Sequence, residues 1–311
     1  MLTQPLSVSF DLGEGREVFI ETGKLARQAD GAVTIRQGNN IILATVVASQ
    51  EPREGQSFFP LSVDYQEKFS SAGRIPGSFF KREARLNDYE VLTSRLIDRA
   101  LRPLFPEDYL CDVQVLISLV SSDDEVLPDA LACLAASAAL AVSDIPIKEI
   151  ISEVRVARID GKFVVNPSRS AVVNADVNLI IAATEKNLMM VEGESKECSE
   201  EDLIEALGIA HEAIRVQIKA QEKLRDLKGI TSKRDYTKPE QDEALKAKVA
   251  EFATDKINEI ARAKTAKHER SEAFKALKDA LIESLGEEPE ELTVKLAKNI
   301  MKICNGNWYV I

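Results

Sequence analysis

Between Arg74 and Arg102 the chain carries seven basic residues (Arg74, Lys81, Arg82, Arg85, Arg95, Arg99, Arg102) against four acidic ones (Glu83, Asp88, Glu90, Asp98). That segment stands at +3 inside a chain of net charge −11, which leaves −14 for the rest. An acidic chain that gathers positive charge in one place has a reason to do so, and the usual reason is a polyanion. The order of the residues narrows the chemistry. A turn-forming run, Gly73-Arg74-Ile75-Pro76-Gly77-Ser78, leads into Phe79-Phe80-Lys81-Arg82-Glu83-Ala84-Arg85. Single-stranded RNA is held by base faces stacking on aromatic rings while Lys and Arg follow its phosphates, and this heptapeptide offers both groups together. The same residues also fit a plainer arrangement, with Phe79 and Phe80 as core anchors and the charges as a solvated rim.

In the helix that follows, Arg95, Asp98, Arg99 and Arg102 fall at i, i+3, i+4 and i+7, hence on one face. Guanidinium groups suit forked binding of phosphate. An ion-pair network centred on Asp98 that fixes the helix is an equally good reading.

These groups must be carried by a mixed framework. Ser7–Leu12 and Glu17–Glu21 flank a Gly-Glu-Gly turn, and Ala32–Arg36 and Ile41–Ala48 flank Gly38-Asn39-Asn40. All four segments read as strands, and Ile41–Ala48 is β-branched and nearly all apolar, as a central strand should be. Leu61–Tyr65 and Val113–Val120 are further strands. Glu90–Leu101 has helical periodicity, and Pro128 suits the first turn of an alanine-rich helix over Asp129–Val142. Asp160-Gly161 joins Glu153–Ile159 to Lys162–Asn166, a strong hairpin signal. Val177–Thr184 and Asn187–Glu192 form another. Ser199 with Asp202 opens a long helix to about Asp226, and Gly229 closes it. The fold class is therefore α+β or α/β, with antiparallel hairpins covered by helices on one side.

After Gly229 the character changes. Thr231 to Pro239 reads as a polar linker, and Glu240–Arg262, His268–Leu285 and Glu290–Lys298 as amphipathic helices. His211 and His268 stand alone on charged helices and read as solvated. The four cysteines form no CxxC pair, so buried free thiols are expected rather than zinc or disulfides. No basic n-region with an apolar core opens the chain, and the longest apolar run, Ala130 to Val142, is too short to span a bilayer. A soluble, cytoplasmic protein is expected, with no membrane partner. Net charge alone would argue against a general nucleic-acid binder. The local basic segment overrides it.

Phe79 to Arg85, then Ser94-Arg95-Leu96-Ile97-Asp98-Arg99-Ala100-Leu101-Arg102-Pro103-Leu104-Phe105-Pro106, closely resemble the first RNase PH-like domain of bacterial polynucleotide phosphorylases. So do Glu21-Thr22-Gly23-Lys24-Leu25-Ala26 upstream and Pro128-Asp129-Ala130-Leu131-Ala132 downstream. The resemblance runs from about residue 5 to residue 297. It implies an RNase PH-like fold followed by a small all-α domain, and a homotrimer whose central pore admits the 3′ end of single-stranded RNA. Inorganic phosphate would attack the terminal phosphodiester and release a nucleoside diphosphate, with Mg2+ or Mn2+ assisting. By this match Phe79 and Phe80 stack on RNA, and Lys81, Arg82, Arg85, Arg95, Arg99 and Arg102 complete the RNA-binding set. A place in an RNA-degradation complex, serving mRNA turnover, would follow.

Phosphorolysis needs a phosphate cradle at a helix N-terminus and carboxylates for the metal. The family places both mainly in a second RNase PH unit. Here the corresponding turn, Glu125-Val126-Leu127-Pro128-Asp129, has no serine, and Asp129 would repel phosphate. Glu192-Gly193-Glu194-Ser195 supplies no aspartate pair. No catalytic or metal residue is assigned, and the chain is expected to guide RNA and scaffold the trimer, and by itself to be nearly inactive. A non-catalytic RNA-binding or assembly module is the alternative.

The expected layout is a first RNase PH-like domain at 1–228, with its core at 1–145 and a subdomain at 146–228. A linker at 229–239 and a helical domain at 240–298 follow. The second RNase PH unit and the family's KH and OB-fold modules fall outside these 311 residues. Residues 299–311 lose the charged helical rhythm. An alternative frame read from Lys298 onward can encode a continuation similar to the family's, so this tail is read as frameshifted.

Overall fold

A computed structural model describes residues 4–284 apart from 14, 57, 78–82, 84 and 239–242, together with residue 297. The chain separates into two compact units, Met1–Lys238 and Pro239–Ile311.

The first unit opens with strands β1 (Leu6–Asp11), β2 (Glu17–Thr22), β3 (Gly31–Gln37) and β4 (Asn40–Ala48), each antiparallel to the next. Strand β5 (Leu61–Glu67), helix α1 (Asp88–Leu101) and strand β6 (Val113–Ser121) then form a crossover, because β5 and β6 run parallel. The six strands lie in the order β1-β2-β3-β4-β6-β5. The sequence suggested only antiparallel hairpins here. The parallel pair arises because 45 residues separate Glu67 from Val113, room enough for the helical return that parallel strands require.

Helix α2 (Pro128–Ala141) is buried at all 14 positions. It packs on β3, β4 and β6 on one side and on strand β7 (Ser152–Ile159) on the other. Strands β8 (Lys162–Val165), β9 (Val177–Ala183) and β10 (Leu188–Ser195) complete a second sheet of order β10-β9-β7-β8. A short helix α3 (Arg169–Val172), which periodicity did not suggest, sits between β8 and β9. Side chains alternate across β7: Val154 and Val156 join the cluster under helix α4 (Glu200–Lys228), while Glu153 and Arg155 meet α2. Ser199 and Asp202 form the reciprocal cap of α4, and Gly229 ends it in the left-handed conformation at φ 77°. His211, expected to be solvated, bonds the Thr184 carbonyl oxygen through Nε2 at 3.0 Å and ties α4 to the end of β9. His268 is exposed.

Strand β5 is a sheet border, and α1 covers it. The Tyr65 amide donates to Ser94 Oγ at 2.9 Å and the Glu67 amide to Glu90 Oε1 at 2.7 Å. The guanidinium of Arg102 donates to the Leu61 carbonyl at 3.2 Å. Glu90 also accepts the Asn87 amide through Oε2 at 2.7 Å, closing a capping box. One carboxylate thus starts the helix and blocks the strand. Glu90→Ala leaves two amides without acceptors and is expected to cost about 2–3 kcal/mol in urea unfolding, with Glu90→Gln losing clearly less.

The stretch read as a polar linker is tied to the first unit. Lys233 Nζ donates to the carbonyls of Leu140 and Ser143 at 3.0 and 2.7 Å, placing a cation at the C-terminus of α2. Burial lowers its pKa to about 8. Arg234 pairs with Asp30 at 3.0 Å and with Asp144. Tyr236 donates to Asp108 at 2.5 Å and stands edge-on to Tyr109.

In the second unit, helices α5 (Glu243–Arg262) and α6 (Lys267–Ser284) bury Leu245, Val249, Ala253 and Ile257 against Leu277 and Leu281. The i, i+4 spacing of the first four makes one apolar stripe. Residue 297 is helical; the rest of the expected third helix and the tail at 299–311 lie outside the described residues. Among the described residues, no helix is long and apolar enough to cross a membrane.

Candidate nucleic-acid interface

Strands β5 and β6 end side by side, with Glu67 opposite Leu119, and the β3–β4 turn at Gln37–Asn40 lies at the same end of the sheet. The loops that follow these strands therefore gather there. The Ser122 amide donates to the Ser71 carbonyl at 3.0 Å, and the Asp123 amide to Asn40 Oδ1 at 3.1 Å. Asp123 Oδ1 accepts the amides of Glu125 and Val126, which holds its carboxyl below the usual range despite partial burial.

The basic loop leaves the end of β5 through one 3-10 turn, Phe69–Ala72, closed by Gly73 at φ 66°. The Arg74 amide returns to the Phe69 carbonyl at 2.9 Å. Glu83 Oε1 accepts the Phe69 amide at 2.7 Å, and Asn87 then caps α1. Of the expected RNA-binding residues, Phe79, Phe80, Lys81 and Arg82 lie outside the described residues. Arg85 is exposed and makes no hydrogen bond or ion pair with another described residue.

The two arginines of α1 and Arg102, which follows its last residue, have different employments. Arg95 is exposed, with no ion pair among the described residues. Arg99 pairs with Glu192 of β10 and reaches the Val191 carbonyl at 3.3 Å. Arg102 grips Asp98 through two bonds of 2.6 and 3.1 Å and donates to the carbonyls of Phe59 and Leu61. Among the described residues, the network centred on Asp98 is thus a single pair with Arg102. All three arginines line an open groove of about 1060 Å3 beside β5. Among the described residues lining it, only Arg95 brings the groove a charge without an ion-pair partner.

A second cluster, which spacing did not reveal, lies where α2 meets β7. Asp129 is buried and ion-paired with Arg155, whose Nη1 also donates to Asn178 Oδ1 at 2.6 Å. Glu153 is buried beside them, with the Cys133 thiol as its neighbour on α2. Burial, then the charge of Asp129, raises its pKa to about 8. Burial raises the Cys133 thiol as well. A cavity of about 100 Å3 opens next to Asp129 and Arg155, lined also by Arg16, Glu125, Asn166 and Ser168.

This corner does not suit phosphate. Pro128 has no amide proton, the Ala130 amide is taken by Asp129 Oδ1 at 2.8 Å, and the Leu127 cap position supplies no side-chain bond. Nor does it suit a divalent cation, since Asp129 is engaged by Arg155 and Glu153 is held neutral. Among the described residues, no group of three or more His, Cys, Asp and Glu side chains is placed to hold a metal.

Comparison with known proteins agrees with this architecture. Residues 14–146 match the 3′ exoribonuclease family, domain 1, and residues 149–213 match domain 2 of the same family. The chain is 52% identical over 291 residues to a polyribonucleotide nucleotidyltransferase of Bacteroides fragilis, covering 93% of this chain and 41% of that protein. It is 51% identical over 291 residues to the same enzyme of Cytophaga hutchinsonii, with the same coverage. For Phocaeicola vulgatus the figures are 53% over 279 residues, 89% and 39%. The chain therefore spans about two fifths of the length of the curated relatives it matches. A chain of the Archaeoglobus fulgidus exosome, solved with RNA bound to the active site, shares the fold at TM-score 0.53 and 18% identity. That likeness covers 70% of this chain and 90% of the other.

Proposed function

Because the chain belongs to the 3′ exoribonuclease family, we propose that it forms the RNA-guiding part of a phosphorolytic 3′–5′ exoribonuclease acting on single-stranded RNA. The supporting observation is the division of labour among the arginines. Arg99 and Arg102 are spent on Glu192, Asp98 and backbone carbonyls, whereas Arg85 and Arg95 remain exposed and unpaired among the described residues. Lys81, Arg82 and Arg85 would hold phosphates and Phe79 and Phe80 would stack on bases, a grip that reads no sequence. Arg102 acts indirectly in this reading, by fixing α1 to β5.

The reaction would use inorganic phosphate as attacking group and release nucleoside diphosphates, with Mg2+ or Mn2+ offsetting charge at the broken bond. The described residues offer neither the cradle nor the carboxylates, so the proposed share of this chain is substrate guidance and the scaffold of a trimer, within the cytoplasm.

Lys81→Ala, Arg82→Ala and Arg85→Ala together are expected to weaken binding of a single-stranded oligonucleotide at least tenfold. The salt dependence should fall by roughly two in slope, since about 0.7 counterion is released per phosphate contact on single strands. Unchanged affinity and slope would remove the loop from the RNA site. The 311-residue chain should release no nucleoside diphosphate from RNA, phosphate and Mg2+. Sustained release would instead place catalysis in this half.

A further inference from the structure

Glu83 is an anomaly in a segment proposed to hold RNA. It stands among Lys81, Arg82 and Arg85, where a carboxylate repels the phosphates its neighbours attract. Its geometry gives it another use. Glu83 Oε1 accepts the Phe69 amide at 2.7 Å, across 14 residues of chain. That amide is the first of the 3-10 turn, an orphan donor that Lys68 at the cap position does not satisfy. The turn is itself fixed to the sheet, because the Ser71 carbonyl accepts the Ser122 amide at the end of β6. Four residues beyond Glu83, Asn87 is locked by the capping box with Glu90.

We propose that Glu83 is a positioning residue for RNA binding: it ties the returning limb of the basic loop to the rigid end of the sheet, so that Arg85 falls between two anchored residues, Glu83 and Asn87. The inference rests on the RNA-guiding reading above. Holding a cation in place beforehand spares the ordering entropy that a free loop loses on binding. That gain, and not charge, explains a carboxylate in this position.

The two accounts of Glu83 predict opposite signs. If only its charge mattered, Glu83→Ala would bind RNA more tightly than the parent chain. The positioning role predicts that Glu83→Ala binds single-stranded RNA about three- to tenfold more weakly, although it removes a negative charge. Glu83→Gln keeps an oxygen that can accept the Phe69 amide, and is expected to bind at least as tightly as the parent. Hydrogen exchange at the Phe69 amide reports the contact directly: slow in the parent and Glu83→Gln, fast in Glu83→Ala. Glu83→Ala binding as well as the parent, or Glu83→Gln falling with it, overturns the proposal. The triple variant Lys81→Ala, Arg82→Ala and Arg85→Ala, measured alongside, tests the reading beneath it. If it leaves RNA affinity unchanged, the loop is not an RNA site, whatever exchange at Phe69 shows. If it weakens binding and Glu83→Ala does not, only the positioning role fails. Glu83→Gln keeps the test decisive if Glu83→Ala does not fold, because a weak but folded Glu83→Gln still overturns it.

Discussion

Gly31→Ala is expected to destabilise the first unit by about 4 kcal/mol or more, at the extreme of what single substitutions do. A Cβ on Gly31 would stand 2.1 Å from the Ala139 carbonyl oxygen and 3.0 Å from Ser143 Cβ and Val46 Cγ1. The first of these is helix backbone, which cannot rotate aside as a side chain would. Helix α2 would have to lift from β3, yet it is buried at every position and has β7 on its other side. Overpacking typically costs about 1–3 kcal/mol where neighbours can give, and more where they cannot. Gly77→Ala is the control, since a Cβ there meets nothing within 4 Å. Urea unfolding followed by circular dichroism should show a large drop in midpoint for the first and almost none for the second. A Gly31→Ala protein within about 1 kcal/mol of the parent would mean that α2 is less confined than its burial implies.

The second large effect concerns pH. Glu153 is buried, and its pKa rises to about 8, from burial first and the Asp129 charge second. The folded state thus holds a proton that the unfolded chain releases near pH 4.5. Between those two values the native state binds more protons, so stability falls as pH rises and levels off above about 8. Glu153→Gln carries a neutral amide of the same shape and removes this slope. It is expected to be more stable than the parent by about 2–4 kcal/mol at pH 8, and nearly equal to it near pH 5. Denaturant midpoints at the two pH values decide the matter. A difference that does not grow with pH would mean that Glu153 is ionised in the fold.

Local features were the ones legible in the sequence. Asp160-Gly161 does make the hairpin turn, with both residues at positive φ. Ser199 and Asp202 cap α4, and Gly229 ends it. The spacing of Asp98 and Arg102 gave their ion pair, because i, i+4 geometry is intrinsic to a helix. The family resemblance rested on long motifs in fixed order, and the matches over residues 14–146 and 149–213 bear it out.

What stayed hidden depends on partners far away in the chain. Asp129 looked like a phosphate repellent, and its neighbour Arg155 is supplied by the next sheet. Arg99 could be read as an RNA contact or as part of an Asp98-centred network, and the structure pairs it with Glu192 of β10. The polar run after Gly229 has linker composition. Its anchors, Asp30, Asp108, Asp144 and the end of α2, come from four separate parts of the fold. Spacing cannot show such contacts, since each is made by topology.

The covered border of β5 has a consequence for how this chain can meet other chains. An uncovered strand edge is a template on which any extended segment can register, and it is a common route to fibres and mispaired aggregates. Here the amides of Tyr65 and Glu67 already have partners on α1, and the carbonyl of Leu61 has one in Arg102 just after it. A visiting strand would find few vacant positions, and would have to displace Arg102 and Glu90 to gain them. Association along this border must therefore proceed by side chains fitting side chains, which discriminates between partners, and not by backbone zippering, which does not.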